Sequence, residues 1–94
     1  MKLEWSAPAL ADLKRFALFL DQHYPSLAEI VADEIVEKAQ ILLDHPQLGR
    51  PIAGPRDYRQ LLLSVLNATY IFQYRLDGER IVMLRVFHSR ENRE

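Results

Sequence analysis

The chain has 94 residues and a mass of 11.0 kDa, room for one small domain, read as 1–94. With 49% hydrophobic and 27% charged residues it is no disordered segment, and with no cysteine it holds neither disulfides nor thiolate metal sites. The net charge of −1 argues against a strong non-specific nucleic-acid binder, although residues 1–47 carry four basic against eight acidic side chains and residues 48–94 carry eight arginines against five.

Leu3 and Trp5 alternate with Lys2 and Glu4, the pattern of a short first strand over residues 2–5. Ser6 is placed to cap a helix with Pro8 in its first turn. Leu10, Leu13, Ala17 and Leu20, with Phe16 beside them, give an amphipathic helix over residues 7–22. Asp12, Lys14, Arg15 and Asp21 fall mostly on its wetter side. His23-Tyr24-Pro25 ends it. Ser26 and Glu29 fit a capping box for a second helix from about Leu27 to Leu43, with Leu27, Ile30, Val31, Ile35, Ala39 and Leu42 as its apolar stripe. His45-Pro46 closes that helix, and the two helices are expected to form an antiparallel hairpin.

Residues 44–57 hold three of the five prolines and two of the three glycines, so they read as an irregular connection through Leu48-Gly49-Arg50-Pro51 and Ala53-Gly54-Pro55. Its length is compatible with a partner-binding role or with a plain surface crossing. The period then shortens to two. Residues 58–66, 68–76 and 79–87 read as three strands, with Asn67 marking one turn and Asp77-Gly78 the other. Tyr70, Phe72 and Tyr74 share a face of the middle strand. In the last strand, Val82, Leu84 and Val86 are set against Ile81, Met83, Arg85 and Phe87.

The expected architecture is α+β, in the order β-α-α-β-β-β, with a helix hairpin packed on one face of a sheet completed by a three-stranded antiparallel meander. The opposite face would carry Arg75 and Arg85, and register decides whether Arg59 joins them. No stretch has the length of a bilayer span and no signal peptide is read, so the expected location is the cytoplasm with no membrane partner. His23, His45 and His88 lack a recognised zinc spacing, and no phosphate loop or nucleotide fingerprint occurs, so neither metal nor cofactor is expected.

In order along the chain come Trp5-Ser6, Ala11-Asp12-Leu13, Pro25 before the second helix, Leu48-Gly49-Arg50-Pro51, Arg59 with Leu61, Tyr70-Ile71-Phe72-Gln73-Tyr74-Arg75 and Leu84-Arg85-Val86-Phe87-His88. As an ordered set these resemble the RelE/ParE toxin superfamily of bacterial type II toxin–antitoxin systems, and are closer to the ParE branch. The resemblance implies a growth-inhibiting toxin held inactive in a hetero-oligomer by a cognate antitoxin, which makes most of any DNA contact. ParE-like toxins inhibit DNA gyrase by protein–protein contact, whereas RelE-like toxins are metal-independent endoribonucleases that cleave mRNA on the ribosome.

Under the gyrase reading no residue is catalytic, and Arg59, Arg75, Arg85, His88 and Arg90 are the candidates for target or antitoxin contact. Under the nuclease alternative, His88 supplies acid–base chemistry while Arg85 and Arg75 hold phosphate, with Tyr70 or Tyr74 stacking on a base. The nucleases usually carry a third-strand arginine beside a Gly-Tyr pair, where this chain has Ala68-Thr69-Tyr70. They also carry lysines on the preceding strand, where it has Arg59 and Gln60. Their C-terminal acid–base residues are replaced by His88-Ser89-Arg90. Gly49 and Arg50 are read as structural, with Arg50 bracing the loop.

Overall fold

A computed structural model describes residues 1–54 and 57–91 of the chain. The elements run β1 (Lys2–Trp5), α1 (Ala7–Asp21), α2 (Pro25–Ala28), α3 (Val31–Ala39), α4 (Ile41–Asp44), β2 (Arg50–Pro51), β3 (Asp57–Val65), β4 (Ala68–Asp77) and β5 (Arg80–His88). The expected α+β order is present, with β2 as an added short strand. Pro55, in the irregular connection, lies outside the described residues.

The sheet order is β1-β5-β4-β3-β2. The meander β3-β4-β5 is antiparallel, and β1 closes it by pairing in parallel with Arg80–Met83 of β5. Helices cover one face. Val31, Ile35, Ala39 and Leu42 meet Phe72, Tyr74, Ile81, Met83 and Val86 there, all at 0% exposure.

Helix α1 starts as its sequence dictates: Ser6 Oγ accepts the N–H of Ala9 at 3.2 Å, and Pro8 lies in the first turn. The inward stripe is rotated from the expected one. Ala9, Asp12, Leu13 and Phe16 are buried, whereas Leu10 is 54% exposed. Asp12, assigned to the wetter side, is 1% exposed and belongs to the core-facing row.

The expected second helix is broken into α2, α3 and α4. Proline opens α2 and Tyr24 precedes it without a side-chain cap, so the Ser26–Glu29 capping box does not form. The chain redirects at Ile30 and Gln40. This lets Val31, Ile35, Ala39 and Leu42 all reach the core, leaves Ile30 41% exposed, and frees Leu27 from that row.

A β-bulge corrects the expected faces of β5. Gln73 pairs with Arg85 and Tyr74 with Met83, which leaves Leu84 as the extra residue. The alternation inverts across it, so Ile81, Met83 and Val86 all point inward. Arg85 and Phe87 lie on the outer face, with the Arg85 guanidinium 4.7 Å over the Phe87 ring. The outer face therefore carries three cross-strand rows: Tyr58–Arg75–Val82, Gln60–Gln73–Arg85 and Leu62–Ile71–Phe87.

Candidate functional site

The candidate site lies where the start of β4 and the end of β5 meet α1 and α2. A groove of about 520 Å³ opens there, its apolar lining including Phe16, Phe19, Leu20, Tyr24, Leu27 and Leu66, and its polar rim formed by Arg15, His88, Arg90 and Glu91. Phe19 and Tyr24 are 63% and 59% exposed, values a core helix face would not keep. A smaller polar hollow of about 360 Å³ adjoins it, lined by Asn67, Thr69, His88, Ser89 and Arg90.

Local backbone rules build this groove. The β3–β4 connection has two residues, Leu66 and Asn67, both at positive φ (51° and 65°). A two-residue turn of this handedness matches the twist of the strands, and Asn67 suits it. Leucine does not, because its Cβ crowds the backbone in the left-handed region. The strained residue is one that lines the groove. At the floor, Phe16 meets Tyr70 edge-on at 5.1 Å, and Tyr70 meets the His88 ring edge-on at 5.2 Å. The N–H of Arg90 donates to His88 Nδ1 at 3.1 Å, so the ring proton resides on Nε2 in this arrangement.

One wall is held by an ionic clamp centred on buried Asp12. Asp12 Oδ2 accepts the Val86 N–H and the Arg85 Nε–H, both at 2.8 Å; Oδ1 accepts from Arg85 Nη2 at 3.0 Å and from Arg15 Nη1. Burial pushes the Asp12 carboxyl pKa up, but the hydrogen bonds from Arg85, Arg15 and Val86 together outweigh it and leave the group below the usual carboxylate range. Arg15 continues outward to a bidentate pair with Glu91 at 3.0 and 3.1 Å, and Glu91 Oε1 accepts the His88 N–H at 2.6 Å. Ser6 Oγ donates to Leu84 O. Side chains thus occupy the rim of β5 beyond its pairing with β1, and this edge is closed to another strand.

The sequence-selected residues fall in three places rather than one. His88 and Arg90 border the groove. Arg75 and Arg85 lie in neighbouring rows of the outer face, yet each has a carboxylate: Asp77 at 3.5 Å for Arg75, and Asp12 for Arg85. Arg75 Nε is buried with no hydrogen-bond partner among the described residues. Arg59 joins neither group. It donates to Gln47 O at 3.2 Å and Gly49 O at 2.8 Å and pairs with Asp57. The brace of the loop is therefore Arg59, not Arg50, which is exposed in β2 and makes no side-chain hydrogen bond among the described residues. Tyr74 completes the brace: its hydroxyl accepts the Gly49 N–H at 2.8 Å and donates to Pro46 O at 2.9 Å. A Cβ on Gly49 would lie 2.7 Å from that hydroxyl oxygen, so the loop needs glycine for close approach.

Sequence reasoning missed Asp12, Arg15, Glu91 and Leu66. A signal for Asp12 existed, since a carboxylate spaced with Ala9, Leu13 and Phe16 sits on the core stripe. The others required the tertiary fold.

The family model for the "ParE toxin of type II toxin-antitoxin system, parDE" matches residues 3–93. The chain belongs to the ParE toxin family. Toxin RelE3 of Caulobacter vibrioides is 32% identical to this ParE-family chain over 91 residues, covering 97% of each. A solved chain from a chromosomal ParDE toxin–antitoxin system of P. aeruginosa superposes with a TM-score of 0.76 at 26% identity, covering 94% of this chain and 95% of that one. A conserved Helicobacter pylori protein, HP0894, has the same fold at 15% identity and a TM-score of 0.52, with 97% of both chains covered. Both RelE and ParE names thus occur among the relatives of this ParE-family chain. Among its described residues no helix is long and apolar enough to cross a membrane, and no three His, Asp or Glu side chains gather to hold a metal.

Proposed function

We propose that this ParE-family chain acts in the cytoplasm as a toxin that inhibits DNA gyrase by direct protein contact, and that a cognate acidic antitoxin neutralises it. The observation that carries the reading is the commitment of its arginines. A metal-free ribonuclease needs a base, an acid and free cations converging on one phosphate. Here Arg85 is held by Asp12, Arg75 is paired with Asp77 near the β4–β5 turn, and His88 sits at the other end of β5 beside the groove. The outer face instead carries exposed Leu62 and half-buried Phe87 in the row next to Arg85, with Arg75 one row beyond on the other side, a composition suited to a protein partner.

The groove is the proposed seat of the antitoxin. Its apolar lining takes a helix face, and its rim arginines take the acidic side chains beside that face. Toxin and antitoxin then form a hetero-oligomer in which the antitoxin makes most of the DNA contact.

The test is a paired assay. Purified chain is expected to inhibit supercoiling by gyrase with accumulation of cleaved DNA, and to leave mRNA intact in a translating extract. Ribosome-dependent cleavage with gyrase unaffected would replace this reading by the nuclease one. That alternative draws on His88, whose ring stands edge-on to Tyr70 at the groove, and on the name of the Caulobacter relative.

A further inference from the structure

We propose that Glu91 is an internal stand-in for a partner carboxylate, occupying the Arg15 fork until the partner displaces it. The proposal rests on the groove being the antitoxin seat. Glu91 spans Arg15 Nε and Nη2 with both oxygens and takes the His88 N–H as well, so a carboxylate here meets three converging donors. Arg15 and Glu91 both line the apolar groove, with side chains 39% and 29% exposed. The pair is therefore open to exchange, unlike Asp12, which is 1% exposed and tied to the backbone of β5.

Arg15 is secured from behind by Asp12 and by a contact to Val86 O at 3.4 Å. Releasing Glu91 leaves the fork in place and facing the groove. The matching occupant is an amphipathic segment whose apolar side chains enter among Phe19, Tyr24, Leu27 and Leu66 and whose Asp or Glu reaches Arg15. Because Glu91 is close in sequence to the strand that bears His88, its effective concentration at the fork is high, and a free carboxylate does not displace it. A carboxylate delivered by a groove-bound segment has the same advantage.

The latch lowers apparent affinity by the fraction of molecules in which the fork is free. The test uses full-length chain and the purified small acidic protein encoded beside it, with Kd read by titration calorimetry. Glu91→Gln is expected to tighten binding by about three- to tenfold. Arg15→Gln is expected to weaken it by at least about tenfold, and Glu91→Gln is expected to add little in that background, because both act through one contact. Unfolding midpoints accompany each variant, and Arg15→Lys is expected to restore part of the binding if charge rather than packing is the cause. Unchanged or weaker binding by Glu91→Gln, with wild type binding well, overturns the latch alone. No binding by wild type overturns the antitoxin reading and the latch with it.

Discussion

Two arginines on the helix-covered side hold the fold together by different chemistry. Arg59 and Tyr74 clasp the loop at residues 46–49 through backbone carbonyls and one backbone N–H. Arg15 joins α1 to the end of β5 through carboxylates, Asp12 behind and Glu91 in front. The loop clasp is closed around Gly49 with no space for a Cβ. The ionic clamp stands beside a groove that apolar side chains line without filling. Arg59 also pairs with the Asp57 carboxylate, but its hold on the loop runs through backbone carbonyls that no partner side chain replaces. The Glu91 carboxylate, in contrast, stands at a groove rim and has a chemical equivalent on any acidic partner. On the proposed reading, the difference gives scaffold work to one arginine and recognition to the other.

The comparison is broken most severely at Asp12. Asp12→Ala strands the Val86 N–H and the Arg85 guanidinium and leaves Arg15 to Glu91 alone, and is expected to cost about 3 kcal/mol, the low end for removing one partner of a buried pair, because Arg15 and Arg85 keep access to water. Urea unfolding measures it. The same carboxylate sets an acid limit. Its folded pKa lies below the unfolded value of about 3.9, so its stabilisation is complete above that pH and is lost as pH falls through the folded pKa. A urea midpoint that falls in acid for wild type and falls less for Asp12→Asn is the expected result.

The loop clasp is weaker but purely structural. Tyr74→Phe leaves the Gly49 N–H and Pro46 O unpaired and is expected to cost about 1–3 kcal/mol. Antitoxin affinity is expected to stay within about twofold of wild type, because the clasp lies outside the groove. Calorimetry on the folded variant checks this.

Leu66 sharpens the contrast with the smallest effect on stability. Asparagine tolerates the left-handed backbone, so Leu66→Asn is expected to hold stability or raise it by up to about 1 kcal/mol, while weakening antitoxin binding through lost apolar lining. Stability and affinity moving in opposite directions would mark a residue retained for the groove. A loss of both would mean that Leu66 serves the core.

The toxic face is expected on the outer sheet surface. Arg85→Ala is expected to reduce growth inhibition more than Arg75→Ala at matched soluble protein, with both variants remaining folded and antitoxin-competent. Because Arg85 also holds Asp12, its variant is read against its own unfolding midpoint. Full toxicity in a folded Arg75→Ala/Arg85→Ala double variant would remove this face from the account.

Much of the fold was legible because its signals are local. The Ser6 cap, the period of α1 and the alternation in β4 each lie within a few residues. Asp77-Gly78 marked its turn to within one residue, since the turn falls at Gly78 and Glu79, with Gly78 at a φ of 63°. The parallel pairing of β1 with β5 spans nearly the whole chain and carries no local mark. The bulge at Leu84 depends on pairing with β4, and it inverted the faces read from simple alternation. The helix breaks at Ile30 and Gln40 have neither glycine nor proline to announce them. The site was legible in part. His88 and Arg90 do border the groove, but the carboxylates that occupy Arg15, Arg75 and Arg85 are set by register and helix rotation, which composition does not encode.

The central claim is that this ParE-family chain works by contact and performs no proton transfer. Gyrase supercoiling titrated side by side with wild type and His88→Ala tests it most directly. The account predicts inhibition by both, with the variant within about tenfold of wild type, whereas removing a general acid or base costs about 10²–10⁴-fold. Wild-type chain that leaves supercoiling untouched, or a folded His88→Ala variant weakened by that larger factor, would contradict it.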